Sequence, residues 1–250
     1  MAGVSWSIDA APWIAAAAVL WPLVLGLAAF WRVTAPAAVR LCPSAALPAL
    51  LLAVGSRGDW VIEVPWLLLG TRIGLDPAGW VFLLLAALVW SCAGMAVPAT
   101  MRGDAARGRF AAFFLLSMAG SLGLPLARDA ASFYVLFALM SLSAYGLVAH
   151  RGDAAARRAG RAYITFAITG EVLLVSGLFF AVWSAGTTSL DDLPARMLAS
   201  PVGLAAVPLI LLGCGMKAGA VPLHPWLPVS YAAAPLPGAV ALAGTMSKAG

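Results

Sequence analysis

The stretch PVGLAAVPLILLGCGMKAGAVPLHPWLP, residues 201–228, is long and apolar enough to cross a membrane and carries the features that interrupt such a helix. Sixteen uncharged, mostly apolar residues precede Lys217. Glycines flank this lysine and prolines follow it: Gly213, Gly215, Gly219, Pro222, Pro225 and Pro228. Because proline removes a backbone donor and clashes with the preceding turn, we predict a break just after Lys217. Irregular backbone within a bilayer is tolerated beside protein or a water-filled cavity, so Lys217 should lie next to hydrated backbone.

The composition extends the membrane interpretation to the whole chain. Of its 250 residues, 63% are hydrophobic and 10% are charged, whereas a globular domain carries about 25% charged residues. The apolar runs are 12–31, 36–54, 78–99, 110–127, 130–149, 161–185, 201–227 and 231–250. A charged stretch, residues 55–76, is predicted to be an extramembrane loop. We therefore predict an all-α membrane protein of about eight transmembrane helices, with the seventh helix broken.

The net charge of +5 is better explained by membrane orientation than by nucleic acid binding. Nine arginines lie in or beside the loops after the first, third and fifth runs. Four arginines lie in the loops after the second, fourth and sixth runs. The positive-inside rule therefore places the N-terminus outside and the arginine-rich loop 150–161 in the cytoplasm.

Three charged residues fall inside apolar runs: Glu171, Lys217 and Lys248. Such residues are rare in membranes and usually functional, so they indicate a set of groups that exchange protons or ions. The alternative is a structural ion pair, or a lysine whose side chain reaches the interface. His224, after the break, is either a proton relay or an interfacial histidine.

The sequence offers no pattern for a cofactor or a metal. Cys42, Cys92 and Cys214 are scattered without metal-type spacing, and the two histidines, His150 and His224, lie far apart in sequence. A haem or quinone enzyme is therefore a weak interpretation. We expect no cofactor, no metal, no catalytic residue and no nucleic acid partner.

The segment GMKAGAVPLHPWLP, residues 215–228, with AAP at 233–235 and MSKAG at 246–250, resembles the proton-conducting antiporter-like family. This family includes large membrane subunits of respiratory complex I, of membrane-bound hydrogenases and of multisubunit cation/proton antiporters. The resemblance covers roughly residues 70 to 250. It implies that Lys217 is the central lysine of a broken helix and that Lys248 is the lysine of the next helix. His224 and Trp226 match the motif after the break.

The chain departs from the family pattern in the fifth run. Members usually carry a glutamate in a Trp-Glu-Leu-Met motif there, whereas this sequence reads FALM at 137–140, with Ala138 at the glutamate position. A second departure is Tyr231, where a histidine commonly stands. Our hypothesis is that Glu171, one helix later, replaces the missing acid as the partner of Lys217.

The resemblance also implies a domain organisation. The family fold uses two inverted repeats of five helices. Residues 1–109 would hold helices 1–3 with the extramembrane loop 55–76, and residues 110–250 would hold helices 4–8 as the first repeat. The second repeat is missing, so we expect the chain to be a fragment of a longer protein.

By resemblance, the chain is expected to be a proton- or cation-translocating membrane subunit. The complex would be redox-driven, such as NADH-quinone oxidoreductase or a membrane-bound hydrogenase, or a multisubunit cation/proton antiporter. Its partners would be other membrane subunits, the lipid bilayer, and protons or Na⁺, in a bacterial inner membrane, and its own role would be non-catalytic. The alternative is a non-conducting structural scaffold, which Ala138 and the missing repeat favour, whereas Glu171 and Lys217 argue against it.

Overall fold

The computed structural model describes residues 10–56, 59–68 and 70–250. Helices make up most of this part of the chain, and two strands, β1 (Trp60–Val64) and β2 (Thr71–Leu75), pair antiparallel. The helices are α1 (Ala11–Ala28), α2 (Ala35–Leu41), α3 (Leu47–Gly55), α4 (Pro77–Thr100), α5 (Arg107–Gly123), α6 (Ala130–Val148), α7 (Ala154–Ala185), α8 (Leu193–Met197), α9 (Pro201–Ala218), α10 (Trp226–Ala233) and α11 (Leu236–Gly244).

Seven helical segments among the described residues are long and apolar enough to cross a membrane. They are Ala11–Ala28, Ala35–Gly55, Pro77–Thr100, Arg107–Leu126, Ala130–Val148, Ala154–Ala185 and Pro201–Ala218. Their outer faces expose large apolar side chains, including Phe179, Trp183 and Leu211, as lipid-facing helices do. The chain is therefore an integral membrane protein of the predicted all-α class.

The eighth predicted run, 231–250, differs from a single long helix. It contains the end of α10, the nine-residue helix α11 and a short 3₁₀ turn at Met246–Ala249. Pro235 separates the two helices, because proline cannot continue the hydrogen-bonded ladder of α10. A total of about eight transmembrane helices remains a prediction.

Polar caps set the start of four helices. The side chains of Asp76, Asp129, Asp153 and Ser200 each accept a hydrogen bond from the main-chain N–H three residues later. The cap at Asp153 starts α7 seven residues before the predicted apolar run at 161. The added turns carry arginines, which are compatible with a helix that extends beyond the hydrocarbon.

The core is centred on α5, which is buried along most of its length. Helices α1 and α6 pack on either side of it, and Trp90 of α4 stacks edge-on against Phe114 at 5.0 Å between ring centroids. A second close pair is α7 with α9. These two helices approach through glycines, because a Cβ on Gly177 would lie 2.9 Å from the main-chain nitrogen of Ile210.

The predicted extramembrane loop, 55–76, contains the β-hairpin, which packs at the end of the bundle where α4 and α6 begin. The main-chain N–H of Arg72 donates to Asp129 Oδ2 at 2.7 Å. Arg128 pairs with Asp76 at 2.6 Å and also contacts Asp191. These contacts tie the hairpin to both helix starts and to the loop after α7.

At the opposite end, where α4 and α6 end, a second polar cluster forms. His150 Nε2 lies 2.8 Å from Asp104 Oδ2, and Arg109 donates to the main-chain carbonyl of His150 at 3.3 Å. The ring of His150 is buried against Phe110. The cluster joins the loop between α4 and α5 to the loop between α6 and α7.

Candidate site around Lys217

The predicted break follows Lys217 directly. Helix α9 ends at Ala218, because Gly219 adopts a left-handed φ of 71° that favours glycine. A Cβ at Gly219 would also lie 2.1 Å from Leu227 Cδ1. The chain resumes as helix at Trp226, whose Nε1 donates to the main-chain oxygen of Met216 at 2.9 Å. Lys217 therefore sits in the last turn of a helix that stops inside the protein.

The ammonium group of Lys217 is buried, with the residue 6% exposed. Its Nζ donates to Ser141 Oγ at 2.9 Å and to Tyr163 Oη at 3.3 Å. The Tyr163 hydroxyl in turn donates to the main-chain oxygen of Ser141 at 2.7 Å. Nζ also lies 5.7 Å from the ring centroid of Phe137 and 5.6 Å from that of Tyr163. Two hydroxyls and two aromatic faces thus surround the lysine.

Glu171 lies on the same cavity as Lys217, as the hypothesis of a relocated partner requires. The residue is 5% exposed, and its Oε1 is buried without a hydrogen-bond partner among the described residues. The cavity is about 10 Å³, which is space for about one water molecule. Glu171 and Lys217 are the two charged residues that line it. The other lining residues are Phe137, Ser141, Tyr163, Phe166, Ala167, Gly170, Gly213, Met216 and Trp226.

The antiparallel packing of α7 and α9 brings these two residues to one depth. Glu171 precedes the last residue of α7 by 14 positions, and Lys217 follows the first residue of α9 by 16. At a rise of 1.5 Å per residue, both lie roughly 20–25 Å from the shared end of the helix pair. Gly213 permits the close approach, since a Cβ there would lie 2.8 Å from the main-chain oxygen of Gly170.

The other predicted site residues lie away from this cavity. His224 is exposed in the segment between α9 and α10. Lys248 contacts the main-chain oxygen of Ala243 and lines a separate cavity of about 330 Å³. Ala138, which stands where the family usually has glutamate, does not line the Lys217 cavity. The structure therefore brings together Lys217 and Glu171, and it places Lys248 and His224 elsewhere.

Two residues of the site, Ser141 and Tyr163, were not predicted from the sequence. Each is a polar residue in a largely apolar helix, and serine and tyrosine are common in such helices. The available signal was weak: a Ser141 hydroxyl near the middle of α6 and a Tyr163 hydroxyl two turns before Glu171. Their shared role depends on how α6 and α7 are rotated relative to α9.

Metal-binding clusters do not occur in the described part of the chain. No group of three or more histidine, cysteine, aspartate or glutamate side chains comes together in residues 10–56, 59–68 and 70–250. The chemistry of the site in these residues is therefore that of an amine, a carboxyl group and two hydroxyls.

Residues 127–250, about half of the chain, match the family model described as "NADH:quinone oxidoreductase/Mrp antiporter, TM". This region contains α6, the broken helix with Lys217, and Glu171. The chain thus belongs, through this region, to the antiporter-like family of membrane proteins that the Lys217 segment resembles.

Three relatives are similar over different lengths. Hydrogenase-4 component B of Escherichia coli (strain K12) is 38% identical over 60% of this chain and 22% of its own length. NADH-quinone oxidoreductase subunit N of Desulforudis audaxviator (strain MP104C) is 32% identical over 74% of this chain and 37% of its own. A component of the Na(+)/H(+) antiporter of Bacillus subtilis (strain 168) is 37% identical over 47% and 24%. The chain spans well under half the length of these curated relatives.

Two solved structures share the fold. A chain of the membrane-bound sulfane sulfur reductase, an archaeal respiratory membrane complex, has a TM-score of 0.77 at 22% identity, over 94% of this chain and 51% of that one. A chain of the Mrp complex from Dietzia sp. DQ12-45-1b has a TM-score of 0.77 at 24% identity, over 96% and 27%. These likenesses establish the fold of the described helices.

Proposed function

We propose that this chain translocates protons, or a cation such as Na⁺, as a membrane subunit of a multisubunit complex. The complex would be a redox-driven one of the NADH-quinone oxidoreductase or hydrogenase type, or a cation/proton antiporter. The names of the three relatives support this range of complexes. The chain itself would have no catalytic residue, so electron transfer would take place in other subunits.

The observation that carries the proposal is the burial of one amine and one carboxyl group on a cavity with space for a single water molecule. A charge within the hydrocarbon region is costly unless it is paired, so such residues are usually functional. Lys217 has two hydroxyl partners, although an ammonium group has three N–H donors. A water in the cavity would serve as a further acceptor and would connect Nζ to Glu171.

In this proposal Lys217 holds and releases the transported proton, and Glu171 modulates its affinity. An opposite charge nearby favours the charged form of a group, so the protonation of each residue depends on that of the other. Glu171 would thus take the role that the family assigns to the glutamate missing at Ala138. His224 and Lys248 remain predicted pathway residues outside this cavity.

The test compares ion translocation by the assembled complex reconstituted in vesicles. We expect Lys217→Ala to abolish translocation and Glu171→Gln to impair it strongly, while membrane abundance stays near normal. The matched control is Glu63→Gln, which removes the other glutamate of the chain, an exposed one on β1 paired with Arg72. Near-normal translocation by a stably assembled Lys217→Ala variant would refute the proposal.

A non-conducting scaffold is the second candidate function, and Ala138 in place of the usual glutamate favours it. The same experiment separates the two candidates. For a scaffold, Lys217→Ala and Glu171→Gln would change assembly or stability but would leave the ion translocation of the complex unaltered. For a conducting subunit, translocation is lost while the complex stays assembled.

We further propose that the protein resides in a bacterial inner membrane with its N-terminus outside. The arginine count in the loops supports this orientation: nine arginines against four. The polar cluster of Asp104 and His150 would then lie on the cytoplasmic side, and the hairpin on the outer side.

A further inference from the structure

A pocket of about 340 Å³ opens at the bundle end where α4 stops and α5 starts. Three arginines from three different segments line it: Arg40 near the end of α2, Arg102 just after α4, and Arg107 as the first residue of α5. The remaining walls are Pro36, Val39, Pro98 and Met101. A cluster of like charges on one concave surface has a chemical consequence that a scattered set does not have.

The pocket has no acidic lining residue. In the described part of the chain, none of the three guanidinium groups forms a salt bridge or a side-chain hydrogen bond. Asp104, in the same loop, is held instead by His150 at 2.8 Å and by the main-chain N–H of Ala106 at 2.6 Å. Three neighbouring positive charges without an acid repel one another, so this surface favours an anion.

The arginines lie at one membrane face. Arg40 is near the start of the span Ala35–Gly55, Arg102 follows the end of Pro77–Thr100, and Arg107 starts Arg107–Leu126. Residues at the ends of spans lie at the depth of the lipid headgroups. Val39 and Met101 add apolar surface beside the charges. The pocket thus offers charge for a headgroup and apolar contact for the adjoining chains.

We propose that Arg40, Arg102 and Arg107 bind the phosphate of an anionic phospholipid. Guanidinium groups present paired N–H donors that match phosphate oxygens in bidentate hydrogen bonds. Membrane orientation requires only that arginines lie in cytoplasmic loops. It does not require three of them, from separate segments, to share a single pocket. The proposed lipid would hold α2, α4 and α5 together at this end of the bundle.

The test measures lipid binding to the purified full chain in detergent by native mass spectrometry. Phosphatidylglycerol is compared with phosphatidylcholine of the same acyl chains. Each of Arg40→Gln, Arg102→Gln and Arg107→Gln should weaken phosphatidylglycerol binding about fivefold. The matched control is Arg161→Gln, an exposed arginine predicted on the same side that does not line the pocket.

The wild-type chain should prefer phosphatidylglycerol, and the melting temperatures of the variants should stay near that of the wild type in lipid-free detergent. Equal binding of the two lipids would overturn the proposal. So would a triple variant that binds phosphatidylglycerol as tightly as Arg161→Gln does. Displacement of the lipid by millimolar inorganic phosphate would point to a soluble phosphate ligand and would also overturn it.

Discussion

Trp226 bridges the interruption of the seventh span by donating a hydrogen bond from Nε1 to the main-chain oxygen of Met216 at 2.9 Å. This oxygen is one of the last carbonyls of α9, which have no partner within the helix. The same indole ring lies edge-on to Tyr163, at 5.3 Å between ring centroids. One side chain therefore satisfies the broken backbone and supports the tyrosine that contacts Lys217.

We expect Trp226→Phe to destabilise the protein by about 1–3 kcal/mol, because it leaves the buried Met216 carbonyl without its donor. The aromatic contact with Tyr163 would largely remain. Thermal unfolding in detergent measures the effect, and Trp183→Phe, at an exposed tryptophan of α7, is the control. Equal melting temperatures for the two variants would contradict the bridging role.

The contact between α7 and α9 predicts different effects for two glycines of one helix. A Cβ at Gly213 would lie 2.8 Å from main-chain atoms of Gly170 and Leu174, whereas the nearest atom at Gly215 is 3.8 Å away. We expect Gly213→Ala to cost about 1–3 kcal/mol and to reduce translocation, because it separates Glu171 from Lys217. Gly215→Ala should be nearly neutral. The prediction fails if both alanine variants behave alike in unfolding and transport assays.

The pair formed by Asp104 and His150 predicts a pH dependence of stability. The hydrogen bond from His150, with help from the Ala106 N–H and from Arg109, holds the pKa of the Asp104 carboxyl below its usual range. Asp104 therefore stabilises the folded state above the unfolded-state pKa of about 4. This contribution is lost as the pH falls through the lower folded-state pKa.

We expect Asp104→Asn to lower the melting temperature near neutral pH and to weaken its decline in acid. The measurement is a series of thermal unfolding curves in detergent, from about pH 7 to about pH 3. The control is Asp192→Asn, at an exposed aspartate whose side chain makes no capping bond to α8. If Asp104→Asn follows the wild-type pH profile, the carboxyl group does not contribute as described.

The proposed orientation predicts which loops face outward. In a chain whose cysteines are replaced by serine, Ala154→Cys should be protected from an impermeant maleimide in intact cells, and Asp192→Cys should react. Both residues are exposed, at the start of α7 and just before α8. Opening the cells should make position 154 reactive. Labelling of position 154 in intact cells would reverse the topology.

Much of the fold could be predicted from local sequence. Apolar length predicts the spans, because a bilayer requires about 20 apolar residues in a helix that satisfies its own backbone. Gly219 and the prolines after it predicted the break, since φ and the loss of N–H donors are properties of single residues. The extent of α7 was less accessible, because its first turns carry arginines and depend on the cap at Asp153.

By itself, the sequence determined the membrane class, the break after Lys217 and the presence of Glu171 within a span. Only the tertiary structure decided that these two residues line one cavity, with Ser141 and Tyr163 as the hydroxyl partners of the lysine. Helix formation depends on neighbouring residues, whereas contact between helices depends on their rotation and depth. That rotation and depth are fixed by packing between residues far apart in sequence, such as Gly170 with Gly213.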